Sequence, residues 1–304
     1  MNMAEQLKYR KRVVDSLLAE KLEATGAVLI EGPKACGKTT TAEQQAKSIL
    51  YMDDPDRMSQ NLQLAQTNIK VLLRGETPRL IDEWQIAPQL WDAIRFEVDH
   101  RGDDGQFMLT GSAVPADDSK IHHTGTGRFS WLTMRPMTLW ESGESTGDVS
   151  LGSMFEHPEM VEGESHLSME DVAFATCRGG WPRAMNKKSE KAALDQAKEY
   201  YEAITRSDIS RVDGVSRDEH RAKRLMRSYA RLQGTMAPIP TIVEDLKTNE
   251  PDGMSDETVA SYIRALKKIF VVEDSEAWNP NLRSKTAIRT SDTRYFTDPS
   301  IATA

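Results

Sequence analysis

Gly32-Pro33-Lys34-Ala35-Cys36-Gly37-Lys38-Thr39 fits G-x-x-x-x-G-K-[ST], the pattern of a loop that wraps a polyphosphate. Gly32 and Gly37 allow backbone angles and a close approach that a Cβ would forbid. The N–H groups of such a loop form an anion-binding nest, and the next helix adds its N-terminal dipole. Lys38 is a compact charge for the β- and γ-phosphates, and the Thr39 hydroxyl is a ligand for Mg²⁺. Gly32, Pro33, Lys34, Ala35, Cys36, Gly37, Lys38, Thr39 and Thr40 are the expected nucleotide-binding residues. Ala27-Val28-Leu29-Ile30 before the loop reads as a buried parallel strand, and Thr40 to Ala46 after it as a helix. Strand, glycine loop and helix are the context the motif requires.

Working outward, Ser48 to Met52 reads as a second strand and Pro55 to Arg74 as largely helical. Arg79-Leu80-Ile81-Asp82 is a third strand, and Pro88 to His100 a helix with Leu90, Trp91, Ile94 and Val98 at helical spacing. Gln106 to Thr110 and Arg128 to Met134 complete five strands, with Val13 to Leu22 a leading helix. Alternating strands and helices predict an α/β domain with a mostly parallel sheet. A full strand between the loop strand and the Asp82 strand is the mark of the additional-strand P-loop NTPases, AAA+ proteins among them. The expected sheet order is 5-1-4-3-2.

Asp82 closes an apolar strand about 40 residues after the glycine loop, as a Walker B acid does. It is expected to hold Mg²⁺ with Thr39, largely through water. Glu83 is the expected general base for the attacking water. Paired acids favour hydrolysis over a small-molecule kinase, for which no acceptor signature is seen. The fourth strand ends Thr110-Gly111-Ser112, where Thr110 is the first candidate to sense the γ-phosphate and Ser112 the second. Arg128, after Gly125-Thr126-Gly127, reads equally as a transition-state arginine, in cis or in trans, and as a surface residue opening the fifth strand. His122-His123 is only a weak sign of metal, with no acid or Cys at ligand spacing.

The chain has 304 residues, 38% hydrophobic and 28% charged, with a formal net charge of −8. That composition suits a soluble globular protein and speaks against indiscriminate nucleic-acid binding. No apolar run approaches the roughly 20 residues of a membrane span, and Met1 to Arg12 lacks the apolar stretch of a signal peptide, so a cytoplasmic location is expected. Cys36 and Cys177 are the only cysteines and predict no structural disulfide; Cys36 reads as a small filler or as a redox-sensitive thiol. Between Pro136 and Cys177 there are acids but no Lys or Arg, whereas basic residues crowd Arg221 to Arg231 and Arg283 to Arg294.

Three further stretches join the loop. Leu80-Ile81-Asp82-Glu83-Trp84-Gln85-x-x-Pro88, Leu109-Thr110-Gly111-Ser112, and Gly127-Arg128 with Met134-Arg135-Pro136 and Leu139-x-Glu141 together resemble the prokaryotic AAA+-like ATPases that carry an uncharacterised C-terminal domain. Arg178-Gly179-Gly180-Trp181-Pro182, Asp208-Ile209-Ser210-Arg211 and Phe296-x-Asp298-Pro299-Ser300 extend the resemblance. It implies an ATPase core, a helical and winged-helix segment and then a restriction-nuclease-like domain. Family members continue about a hundred residues further, so that last domain is expected to be missing. ATP rather than GTP as the nucleotide rests on the resemblance, with no N-K-x-D motif in a suitable place.

The expected organisation is therefore an AAA+-like domain over 1–140, an acidic linker or insertion over 141–175, and a helical, winged-helix-like region over 176–304. In that region Ser189 to Thr205, Asp218 to Gln233, Pro240 to Leu246 and Asp256 to Lys268 read as helices. Phe270 to Glu273 and Arg289 to Phe296 read as a hairpin, which makes the end of the chain winged-helix-like. Arg264, Lys267 and Lys268 suit phosphates, while Asp256 and Glu257 would repel DNA, so DNA and a protein both stand as partners for it. Two functions follow: an ATPase that couples hydrolysis to conformational change, and a slow nucleotide-dependent switch presenting the winged helix.

Overall fold

A computed structural model describes residues 9–111, 124–249, 253–276 and 291–304. Five parallel strands carry the first half: β1 Ala27–Glu31, β2 Ser48–Tyr51, β3 Arg79–Asp82, β4 Phe107–Thr110 and β5 Phe129–Thr133. Their order is β2-β3-β4-β1-β5, the order expected from the sequence. β4 lies between β1 and β3 in register, with Ile30 beside Thr110 and Thr110 beside Asp82. The ends of three strands thereby meet at one edge.

Both faces of the sheet are covered. Helix α1 (Val14–Ala24) sets Leu18 and Leu22, one turn apart, against Val28, Ile30, Leu80, Met108 and Leu132, and α2 (Lys38–Glu43) adds Ala42. On the other face α3 (Met58–Thr67) and α4 (Leu90–Arg101) cover Leu29, Ile81, Phe107 and Leu109. Residues of opposite parity in β1 thus fall in opposite clusters, and the strand reads as a continuous apolar run because neither face meets water. The helix expected over Pro55 to Arg74 is in fact α3 followed by a 3₁₀ turn, Ile69–Val71, with Asn68 out of helical geometry between them.

The stretch 141–175, expected as an acidic linker or insertion, contains short helices and stays largely exposed. Helices α5 (Leu139–Ser142) and α6 (Leu151–Glu156) are followed by α7 (Met169–Arg178). Then come α8 (Pro182–Met185), α9 (Glu190–Ala203), a π turn over Ile204–Asp208, and α10 (Ile209–Arg211). The last helices are α11 (Glu219–Arg231), α12 (Ile239–Asn249), α13 (Asp256–Lys268) and α14 (Pro299–Thr303). A second core, including Trp181, Leu225, Tyr229, Ile242, Ile263, Leu266 and Phe296, holds this half together. Ser189, Asp218 and Ser255 cap α9, α11 and α13 through their side-chain oxygens. The expected hairpin forms only isolated antiparallel bridges among the described residues, Val272 with Phe296 and Ser275 with Thr293.

The halves are pinned at the turn after α7. Met137 N–H donates to Gly180 O at 2.7 Å, and a Cβ on residue 180 would lie 2.1 Å from Met137 O. From the other side Asp298 accepts from Gly180 N–H at 2.8 Å, and Trp181 Nε1 donates to Ser300 Oγ at 2.9 Å. The Arg178–Pro182 and Asp298–Ser300 motifs are therefore two sides of one contact.

Candidate functional site

The glycine loop leaves β1 at the edge where β3 and β4 also end. Gly32 has φ 145°, and a Cβ there would lie 2.0 Å from Met134 O, so only glycine fits beneath the neighbouring strand. Gly37, at φ 103°, turns the chain into α2. Lys38 is buried, and its Nζ donates to Gly32 O and Pro33 O, both at 2.8 Å. The ammonium thus sits across the mouth of its own loop. Burial pulls its pKa below the usual lysine value, against the attraction of Glu83 and Asp82.

Thr39 Oγ1 donates to Asp82 Oδ1 at 2.8 Å, and Thr110 donates to the same oxygen from β4. Burial pushes the Asp82 carboxyl above the ordinary range, and these two hydroxyls oppose it. Thr39 and Asp82 offer the hard oxygen donors Mg²⁺ favours. Among the described residues no cluster of three or more His, Cys, Asp or Glu could hold a metal by itself. A cation between Thr39 and Asp82 would complete its shell with water and phosphate oxygens. Glu83 follows at φ 54°, an unusual angle for a side chain-bearing residue, and Gln85 Nε2 donates to its carboxylate. Burial, then the Asp82 charge, raises the Glu83 pKa.

Of the expected residues, Lys38, Thr39, Asp82, Glu83 and Thr110 come together. Cys36 is fully buried, with a thiol pKa raised by burial, and packs into the core beneath the loop. Arg128 is not brought to the phosphate loop of its own chain. It precedes β5 and accepts at its backbone oxygen from Ala27 N–H, at the start of β1, whereas the loop follows the end of β1. Its guanidinium donates to Asp99 Oδ1 at 2.7 Å. Within one chain Arg128 is an exposed residue ahead of the fifth strand, paired with Asp99. Ser112 and His122-His123 lie outside the described residues.

Contacts that sequence reasoning missed brace the loop. Arg12, buried, donates to Cys36 O at 2.9 Å and to Arg135 O at 2.8 Å, and its Nε lies 3.0 Å from Glu141 Oε1. Leu139-x-Glu141 is the only sequence signal of that brace. Lys34 Nζ donates to Asp208 Oδ1 at 2.7 Å, joining the loop to the π turn. Beside α2 is a cavity of about 230 Å³, lined among others by Tyr9, Thr40, Met137, Pro182 and Arg183. It opens next to Gly37, on the side of the loop facing the second half.

Comparisons with known proteins bear on the fold of each half. Residues 24–142 match the family described as "AAA domain", and residues 169–304 match "Domain of unknown function (DUF8612)". No curated protein matches. Among solved structures, the Walker-type ATPase PABY2304 of Pyrococcus abyssi is 14% identical with a TM-score of 0.55, covering 100% of this chain and 97% of that one. The AMPPCP-bound DnaA of Aquifex aeolicus is 14% identical over 88% of this chain and 89% of that one, with a TM-score of 0.38. The first half has the α/β P-loop fold, and residues 24–142 match the AAA family model. The second half matches a domain without an assigned activity, so the nuclease-like extension implied by the resemblance gains no support.

Proposed function

We propose that this chain binds ATP with Mg²⁺ and hydrolyses it slowly, and that hydrolysis changes how the two halves meet. The observation that carries this reading is the convergence of Thr39 and Thr110 on Asp82, with Glu83 one residue away and the Lys38 ammonium held at the mouth of the loop. In the proposed cycle the polyphosphate replaces Gly32 O and Pro33 O as the partner of Lys38. Asp82 and Thr39 hold the cation, and Thr110 orients Asp82. Glu83 takes the proton of the attacking water. The cavity lined by Tyr9, Thr40 and Arg183 receives the nucleoside. We place the domain boundaries near 140 and 176, because Met137 and Gly180 mark the joint.

The second reading is a nucleotide-dependent switch, favoured by the direct ion pairs from loop and core to the second half, Lys34–Asp208 and Arg135–Glu273. In it the α11–α13 region acts as a winged helix toward DNA or a protein. Asp256 and Glu257 in the first turn of α13 favour the protein.

The experiment is phosphate release from ATP-Mg²⁺ by wild type, Lys38→Ala and Glu83→Gln, with and without double-stranded DNA. Hydrolysis predicts turnover that falls at least 100-fold in Glu83→Gln while ATP still binds, and binding lost in Lys38→Ala. No turnover with retained ATP binding supports the switch. Tight ATP-Mg²⁺ binding by Lys38→Ala overturns both readings.

A further inference from the structure

The stretch from α5 to the first turn of α7 exposes large apolar side chains to an extent found nowhere else among the described residues. Phe155 is 82% exposed, Met169 78%, Met160 75% and Leu151 70%, against 58% for Met236, the highest elsewhere. Leu151 and Phe155 lie one turn apart on α6, so they share a face. The base of the stretch is built firmly. Buried Arg178 donates to both carboxylate oxygens of Glu144, at 2.5 and 3.0 Å, and Glu141 closes the capping box of α5. Ser150 caps α6, and Ser168 with Asp171 caps α7. A fastened stem therefore holds a water-exposed apolar crown.

Charge names the kind of occupant. Residues 136–177 contain no Lys or Arg, and Glu156, Glu159, Glu162 and Glu164 are exposed among the apolar side chains. Nucleic acid and anionic lipid carry the wrong sign for this crown, as does the same crown on a second copy. Apolar residues in an acidic ring complement an apolar groove rimmed by Lys and Arg. Met160 and Met169 add the unbranched, polarisable side chains that adapt to a partner's contour.

We propose that residues 149–169 form a docking arm for a basic protein partner of a different sequence, which buries Leu151, Phe155, Met160 and Met169 and pairs with the surrounding glutamates.

The probe is a fluorescein-labelled 18-residue amphipathic Leu/Lys helix, titrated with the full chain and read by anisotropy. Oligolysine and a Leu/Glu helix serve as comparators. The arm predicts that Leu151→Ser/Phe155→Ser weakens binding of the Leu/Lys helix at least 10-fold, as does raising salt from about 50 to 300 mM. Oligolysine should bind wild type no more tightly than the Leu/Lys helix binds the double variant. Equal affinity of wild type and double variant overturns the proposal, and so does tight binding of the Leu/Glu helix. Self-association of the chain alone, abolished by the same substitutions, overturns it in favour of a second copy. Unchanged melting temperature and ATP binding show that the double variant is folded, as expected of exposed positions.

Discussion

Lys34 of the phosphate loop reaches Asp208 of the π turn at 2.7 Å, so a residue beside the proposed γ-phosphate position is already committed to the other half of the molecule. The lysine side chain is 52% exposed and the aspartate 12%, which limits the pair's contribution to stability to about 0–1 kcal/mol. Its consequence concerns nucleotide choice. Asp208→Ala removes the competitor for Lys34 and a negative charge near the phosphates. The ratio of ADP to ATP dissociation constants should rise about 3-fold, with the melting temperature nearly unchanged. Calorimetric titration with both nucleotides checks this, and an unchanged ratio would make the pair a surface contact only.

Gln85 holds the Glu83 carboxylate from two residues away, while Glu83 itself stands at φ 54°. Gln85→Ala frees that carboxylate to rotate out of line with the attacking water. Turnover should fall about 10-fold with the ATP dissociation constant within a factor of two or three. Single-turnover and binding measurements separate the two. Equal losses in affinity and rate would instead indicate damage to the loop.

Arg12 ties Cys36 O, Arg135 O and Glu141 together from a buried position. Arg12→Ala leaves a buried carboxylate and two carbonyls short of a donor, a loss of about 3 kcal/mol. Arg12→Lys should recover little of it, because an ammonium lacks the planar fork that reaches several acceptors at once. Urea unfolding of both variants measures the difference. Nucleotide affinity should fall with stability, since the braced segment is the phosphate loop.

Asp274 supplies the acid-sensitive point of the second half. Burial would raise its carboxyl, but hydrogen bonds from Lys267 and Tyr229 and the charge of Arg294 outweigh it and hold the pKa below the ordinary value. A depressed folded-state pKa contributes stability that is fully present above the unfolded value, about 3.9. That stability is lost as pH falls through the folded value. Asp274→Asn should thus lower the melting temperature at pH 7 and leave a shallower decline below pH 4. Melting curves of wild type and variant across pH 3–7 test this. Parallel declines would show that other carboxylates govern the acid transition.

Much of the first half was legible because its information is local. The apolar run Ala27–Ile30, the spacing of Gly32, Gly37 and Lys38, and Asp82 closing an apolar strand each state their role within a few residues. The sheet order followed from the extra strand between β1 and β3. Arg12 was read only as part of a charged N-terminus, because its partners lie 24, 123 and 129 positions away and leave no periodic trace. Lys34 was expected to serve the nucleotide, and its pairing across 174 positions had no sequence sign. Helices of four and six residues, such as α5 and α6, are too short for a hydrophobic period, so acids and glycines dominated that reading.

The turn held between Met137 and Asp298 also sets an order of events during synthesis. Pro182 and Arg183, which wall the cavity beside α2, follow a turn closed by Asp298 and Ser300 about 120 residues later. The ribosome adds residues at about 5–20 per second and early segments fold first. The sheet and phosphate loop can therefore form well before the wall opposite them is secured. Until residues 298–301 have left the exit tunnel, the nascent first half has its glycine loop but lacks the secured wall opposite it, where the proposed function seats the nucleoside. Nucleotide-dependent resistance to protease should accordingly begin between nascent chains halted before residue 298 and those in which residue 301 has emerged.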